Sequence, residues 1–212
     1  MTELVFILDR SGSMSGLEAD TIGGFNSLIE KQLEEPEKTL VTTVLFNDMP
    51  KVVHDRVPLE QVSGMTKDDY RVYGCTALLD AVGSTMHRIA MVHHYARVED
   101  RPEKTLFVIM TDGMENASKH YTYERVQKMI GHEQEKYGWE FLFLAANIDA
   151  AAEAKRFNIS PDRAVDYKCD SAGTALSYDV LADEICSLRC GTGVRQQWKR
   201  RIEEDCRLRG EK

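Results

Sequence analysis

The sequence has no long apolar run, and this absence argues against a membrane-spanning helix. A span needs roughly 20 consecutive apolar residues, and no segment of the 212 residues approaches that length. Met1-Thr2-Glu3 also leads straight into a short apolar run, without the basic segment and apolar core of a signal peptide. We therefore expect a cytoplasmic protein.

Paired cysteines of the metal-binding or redox type are also missing. The five cysteines are odd in number, scattered along the chain, and form no Cys-x-x-Cys motif. Reduced thiols in a reducing compartment are the simplest interpretation. Cys186 and Cys190 could share a helix face, but a metal or redox role would need further ligands close by.

Motifs of several enzyme and binding classes are absent as well. Neither Gly-x-x-x-x-Gly-Lys nor Gly-x-Gly-x-x-Gly follows the first apolar run, so nucleotide binding is unsupported. Met14 stands where the nucleophile elbow of a serine hydrolase needs its serine. The 27 basic against 35 acidic residues give a net charge of −8, which disfavours nucleic acid and anionic membranes as partners.

Short apolar segments alternate with amphipathic segments along the chain. Strands are predicted at residues 4–8, 39–46, 51–57, 105–110, 139–145 and 163–167. Helices are predicted at residues 16–35, 78–97, 123–137, 150–157, 172–188 and 194–209. This alternation predicts a doubly wound, Rossmann-like α/β fold. We expect a mostly parallel six-stranded sheet with one antiparallel edge strand, from the hairpin 39–57, and helices on both faces.

Two local features refine this prediction. Gly23-Gly24 lowers the stability of the first helix, which indicates close packing on the sheet. Residues 1–190 are predicted to form one domain and residues 191–212 a basic C-terminal helix or tail. Its apolar residues recur every four positions: Val194, Trp198, Ile202 and Cys206. Because the rest of the chain is acidic, we expect this stripe to pack back on the domain, a partner-binding arm being the alternative.

Oxygen-bearing side chains stand where two predicted strands end. Asp9, Ser11 and Ser13 follow the first strand, Asp112 follows strand 105–110, and Thr76 stands at the start of a helix. The carboxyl ends of the strands line the ligand crevice of an open α/β sheet. Hard oxygen donors without His or Cys suit Mg²⁺, Mn²⁺ or Ca²⁺ better than Zn²⁺. Taken singly, each residue could instead be a turn former or a helix cap.

This pattern resembles the metal-ion-dependent adhesion site (MIDAS) of von Willebrand factor A (vWA) domains. That family has an Asp-x-Ser-x-Ser loop, a distant Thr and a distant Asp, and all five positions are filled here in order. The resemblance covers roughly residues 3–190 and is closest to single-domain, bacterial-type cytoplasmic members. It implies that Ser11 and Ser13 ligate Mg²⁺ directly. Asp9 and Asp112 would act largely through water, and Thr76 would bind in the ligand-competent state.

The resemblance further implies that one coordination position stays open for a carboxylate of a protein partner. The expected function is therefore a metal-dependent protein–protein interaction module that is not an enzyme. The alternative is a Mg²⁺-dependent phosphohydrolase with Asp9 as nucleophile. The haloacid-dehalogenase-like pattern, however, has a second carboxylate where Ser11 stands. The identity of the partner and the oligomeric state stay open.

Residues near the predicted site have less specific interpretations. Arg10 and Met14 could flank the open coordination position and contact a partner. Asp80 is more typical of a carboxylate on a helix face than of a metal ligand. His93 and His94 are adjacent on a predicted helix and point apart, which favours solvated or partly packed imidazoles.

Overall fold

A six-stranded β-sheet forms the centre of the protein in a computed structural model, which describes residues 1–210. The strands are β1 (Thr2–Asp9), β2 (Thr39–Phe46), β3 (Pro50–Pro58), β4 (Lys104–Thr111), β5 (Glu140–Ala145) and β6 (Ala164–Asp166). Their order across the sheet is β3-β2-β1-β4-β5-β6. All neighbours pair in parallel except β2 and β3, which form the antiparallel edge. The predicted fold class is confirmed.

Helices cover both faces of this sheet. They are α1 (Glu18–Gln32), α2 (Leu78–Tyr95), α3 (Tyr123–Tyr137), α4 (Ala150–Arg156), α5 (Ser171–Arg189) and α6 (Arg200–Leu208). Leu4, Phe6 and Leu8 of β1 pack with α1, α5 and α6, whereas Val5 and Ile7 pack with α2 and α3. Since successive side chains of a strand point to opposite faces, a strand covered on both sides is apolar throughout. None of the helices within residues 1–210 is long and apolar enough to cross a membrane.

The two glycines of α1 differ in what surrounds them. A Cβ on Gly24 would lie 2.4 Å from Cδ2 of Tyr178 on α5, whereas a Cβ on Gly23 would meet nothing within 4 Å. The close approach is therefore between helices α1 and α5. The prediction that these glycines allow packing on the sheet was wrong, and only Gly24 sits at a tight contact.

The C-terminal tail packs on the α1–α5 face of the domain. Val194, Trp198 and Ile202 are 7%, 4% and 1% exposed and belong to the same core cluster as Leu4 of β1. The indole N–H of Trp198 donates to the Asp162 carbonyl at 2.8 Å. The apolar stripe of the tail is thus buried against the domain. Residues 211–212 of the predicted tail lie outside the described residues.

The helix of the tail begins later than predicted, at Arg200 instead of residue 194. Arg195 explains the difference, because its backbone N–H and its guanidinium both donate to the carboxylate of Glu184 on α5. Glu184 is fully buried, so this pairing is a strong local constraint on the chain. Val194 and Trp198 are thus buried on the same side before the helix begins, and Ile202 and Cys206 continue the spacing of four inside it.

Candidate metal centre

The predicted site lies at the carboxyl-terminal edge of the sheet, between β1 and β4. Leu8 pairs with Met110 across these parallel strands, so Asp9 and Thr111 end them at the same level. Asp112 follows immediately, and the chain after Asp9 turns through a short 3₁₀ helix at Gly12–Met14. The neighbouring strand ends therefore bring the Asp9 and Asp112 segments together, as the strand–helix alternation predicted.

Asp9 is held in the sheet edge by two hydrogen bonds. Its Oδ1 accepts the backbone N–H of Ser11 at 2.7 Å, and its Oδ2 accepts the hydroxyl of Thr111 at 2.6 Å. Asp9 is 1% exposed, and burial, with a smaller contribution from the charge of Asp112, raises its pKa to about 6. Thr111 thus orients Asp9, a role that was not predicted from the sequence. The sequence feature that could have indicated it is a hydroxyl residue at the last position of the neighbouring buried strand.

Ser13 connects the first loop to the second carboxylate. Its hydroxyl donates to Oδ1 of Asp112 at 2.6 Å and lies 3.1 Å from the hydroxyl of Ser11. Burial raises the pKa of Asp112, although the hydrogen bond from Ser13 opposes that shift. The thiol of Cys169 approaches the other oxygen of Asp112 at 3.8 Å. Two buried carboxylates with raised pKa values thus face a row of hydroxyls.

Thr76 reaches the same place from a third segment. A Cβ built on Gly113 would lie 3.6 Å from both the Ser13 hydroxyl and the Thr76 hydroxyl, so these two oxygens flank one glycine. The N-cap of α2 is Ala77, and no side chain caps this helix. The capping role that a Thr at this position could have is therefore not used. The structure brings all five predicted residues to one site.

Two acidic side chains fix the loop that follows Asp112. Asp80 accepts the backbone N–H groups of Lys119, His120 and Tyr121 at 2.8–2.9 Å. Burial opposes ionisation, but these donors hold the pKa of Asp80 below its usual range. In the reverse arrangement, Glu115 in the loop accepts the backbone N–H of Leu79 in α2 at 2.7 Å. Asp80 is therefore a brace between α2 and the Asp112 loop, a role that was not predicted from the sequence.

Arg10 and Met14 do not offer the contacts that the sequence suggested. They are 7% and 2% exposed, respectively. Arg10 lies over the ring of Tyr73, with its guanidinium carbon 5.2 Å from the ring centroid. The exposed apolar residues around the site lie instead on three adjacent loops: Met49, Tyr73 and Met114. These loops are joined to the site by hydrogen bonds such as Gly12 N–H to Gly74 O at 3.0 Å.

The donor set fits a hard divalent cation. It comprises two carboxylates and three hydroxyls, from Asp9, Asp112, Ser11, Ser13 and Thr76. Within residues 1–210 no group of three or more His, Cys, Asp or Glu side chains could hold a metal, so an ion here would depend on hydroxyl oxygens. Such donors suit Mg²⁺, Mn²⁺ or Ca²⁺. A cation would also offset the cost of burying two ionised carboxylates close together.

Comparisons with known proteins give a fold but no close relative. No protein-family model matches the sequence, and no curated protein matches it significantly. Among solved structures, a von Willebrand factor type A protein from Catenulispora acidiphila is 13% identical, with a TM-score of 0.58 over 86% of this chain and 42% of that chain. The fold is that of vWA domains. At this identity the likeness concerns the fold alone.

Two other neighbours share this architecture. Proximal thread matrix protein 1 from the mussel byssus, with a zinc-occupied MIDAS motif, is 13% identical, with a TM-score of 0.57 over 87% of this chain and 46% of that chain. The pilus adhesin SpaC from Lactobacillus rhamnosus GG is also 13% identical, with a TM-score of 0.67 over 88% of this chain and 31% of that chain. This chain therefore spans less than half the length of each of these three structures.

Proposed function

We propose that this protein is a metal-dependent protein-binding module whose ion sits at a MIDAS-type site. The observation that carries the proposal is the convergence of five oxygen side chains from three loops, linked by the Ser13–Asp112 and Asp9–Thr111 hydrogen bonds. A vWA-like fold supports it, as does a structural neighbour with zinc at a MIDAS motif.

The proposed ion is Mg²⁺, with Mn²⁺ or Ca²⁺ as close substitutes. Ser11, Ser13 and Thr76 would ligate it through their hydroxyls, and Asp9 and Asp112 would act largely through water. Both oxygens of Asp9 already accept hydrogen bonds, which favours an indirect role for this carboxylate. Because few of the direct ligands would be anionic, the ion would stay electrophilic. Mg²⁺ in such a site keeps several exchangeable water ligands.

The proposed partner is a protein that presents an acidic side chain to the ion. A carboxylate of the partner would replace one metal-bound water. Because this protein has a net charge of −8, the ion would supply the attraction for an acidic partner that the protein itself lacks. The exposed Met49, Tyr73 and Met114 surround the site and favour a carboxylate flanked by apolar residues. A cytoplasmic location stays a prediction.

We propose binding without catalysis, and the phosphohydrolase alternative has less support. A nucleophilic Asp9 would have to attack phosphorus, yet it is 1% exposed and both its oxygens are engaged. Purified protein with Mg²⁺ should therefore not hydrolyse phosphate monoesters or nucleotides. Turnover that is present in the wild type and lost in Asp9→Asn would support the phosphohydrolase instead.

Thermal unfolding with and without Mg²⁺ tests the metal site. At a concentration 100 times Kd, a ligand of the folded state adds about 2.7 kcal/mol, or roughly 5–10 °C in Tm for a chain of this size. Asp9→Asn should abolish that increase without lowering the metal-free Tm, because it removes a buried charge. Asp68→Asn, an exposed carboxylate, is the matched control and should respond like wild type. An undiminished response in Asp9→Asn would remove Asp9 from the site.

A further inference from the structure

A pocket lies at the opposite edge of the sheet from the metal site. Its volume is about 320 Å³, within the range of small-molecule sites. The last turns of α2 and α3 form two of its walls, and Pro102 and Trp139, which precede β4 and β5, form its base. Met91 and Tyr137, 41% and 48% exposed, add apolar surface at the mouth. The pocket thus combines apolar walls with four histidines, two cationic side chains and one carboxylate.

Glu133 is the unusual polar group of this pocket. It is 8% exposed and lines the space. Within residues 1–210, no donor forms a hydrogen bond with its carboxylate, and no Lys, Arg or His nitrogen lies within 4.0 Å. Burial of most of the side chain raises the pKa of Glu133, and the nearby basic groups of His132, His93 and Lys136 oppose that rise only in part. The carboxylate oxygens themselves are open to the pocket. A positively charged ligand group would supply the missing partner.

The cations that line the pocket are occupied elsewhere. Arg101 donates from Nε and Nη2 to the carbonyls of Ala96 and His94 at 3.1 and 3.3 Å, where it caps the end of α2. Lys136 lies over the ring of Tyr137, with Nζ 5.1 Å from the centroid. Lys136 and the imidazoles of His132 and His93 therefore lie near enough to lower the pKa of Glu133, but none of them forms an ion pair with it.

The remaining polar features also favour a bound cation over an anion. The carboxyl-terminal ends of α2 and α3 line the pocket, and such helix ends carry partial negative charge, of which Arg101 caps a part at α2. His87 and His132 line the space and offer imidazole nitrogens that accept hydrogen bonds. A metal ion is not the occupant that the geometry favours, because no group of three or more His, Cys, Asp or Glu side chains among the described residues could hold one.

We infer that this pocket binds a small organic monoamine, with its ammonium group on Glu133 and its apolar body against Met91 and Tyr137. An ammonium group has three donors, which match a carboxylate and neighbouring imidazoles. A guest with several positive charges is disfavoured by Lys136 and Arg101 at the edge. This site is independent of the metal-binding proposal.

Calorimetric titration at pH 8 with three probes of one shape tests the inference. The probes are 2-phenylethylamine, 2-phenylethanol and 3-phenylpropionate, which differ in the charge of one end. The amine should bind at least about tenfold more tightly than the alcohol or the acid, since a hydrogen bond to a buried charge discriminates by about that factor. Asp9→Asn should leave amine binding unchanged.

Variants on one helix locate the binding group. Glu133→Gln keeps the size of the side chain and should weaken amine binding at least about tenfold, while its circular dichroism stays that of the wild type. Glu135→Gln, an exposed position on the same helix, is the matched control and should bind like wild type. Absence of amine binding, tighter binding of the acid, or amine binding unaffected by Glu133→Gln would each overturn the inference.

Discussion

The contact between α1 and α5 gives a prediction with its own internal control. A Cβ on Gly24 would lie 2.4 Å from Cδ2 and 2.6 Å from Cγ of Tyr178, a side chain that is 2% exposed. Neither helix nor ring can move without disturbing the core, so Gly24→Ala overpacks the contact. Gly23, one residue earlier, is exposed and has nothing within 4 Å of an added Cβ.

The magnitudes follow from two opposing effects. Replacing a helical glycine by alanine gains about 1 kcal/mol of helix stability, and overpacking a tight contact costs about 1–3 kcal/mol. Gly23→Ala should therefore raise the free energy of unfolding by about 0.5–1 kcal/mol. Gly24→Ala should gain nothing and lose up to about 2 kcal/mol.

Urea unfolding of the two variants measures this difference directly. The midpoint of Gly23→Ala should lie above that of the wild type and the midpoint of Gly24→Ala at or below it, with similar m-values. Equal stabilisation by both substitutions would contradict the close approach of α1 to Tyr178. The contact matters for the site because α1 begins four residues after Met14, where the metal-site loop ends.

Three further predictions concern the tail, the loop brace and the residue behind Asp9. Trp198→Ala should lower the free energy of unfolding by about 3–5 kcal/mol in a urea titration, because a buried indole and its hydrogen bond are lost; an unchanged midpoint would mean that the tail does not dock. Asp80→Asn should cost about 1–3 kcal/mol at pH 7. Because the pKa of Asp80 is lowered in the fold, this difference should begin to shrink as the pH falls below about 4, the ordinary carboxylate value, and disappear only below the lowered pKa of the folded state; a difference that does not change with pH would contradict the brace. Thr111→Val should weaken Mg²⁺ binding in a calorimetric titration, whereas Thr111→Ser should keep it; equal affinities would show that the hydroxyl does not orient Asp9.

The sheet and most helices could be predicted because burial leaves a direct trace in composition. The run Leu4–Leu8 is apolar throughout since both faces of β1 are covered, and α3 was predicted with its observed bounds from its apolar stripe. The start of the tail helix was not predictable in the same way. Its spacing of apolar residues is helical, but the pairing of Arg195 with the distant Glu184 decides the backbone.

The convergence of the five candidate residues could be predicted because two strand ends and the resemblance to the MIDAS pattern mark them. The residues that support them could not. Asp80 and Glu115 act through hydrogen bonds to backbone groups far away in the sequence, and such bonds leave no pattern. Thr111 leaves only a hydroxyl at the last position of a buried strand. The lack of a hydrogen bond to Glu133 likewise depends on where Arg101 and Lys136 point.

The central claim is a divalent ion with an exchangeable coordination position at the Asp9–Asp112 site. Water-proton relaxation with Mn²⁺ in place of Mg²⁺ measures that position directly, because only water on the metal is relaxed strongly. We predict an enhancement on adding Mn²⁺ that is absent in Asp9→Asn and falls when a peptide with an aspartate between two leucines is added. Unchanged relaxation on adding the peptide, or an enhancement that Asp9→Asn retains, would contradict the account.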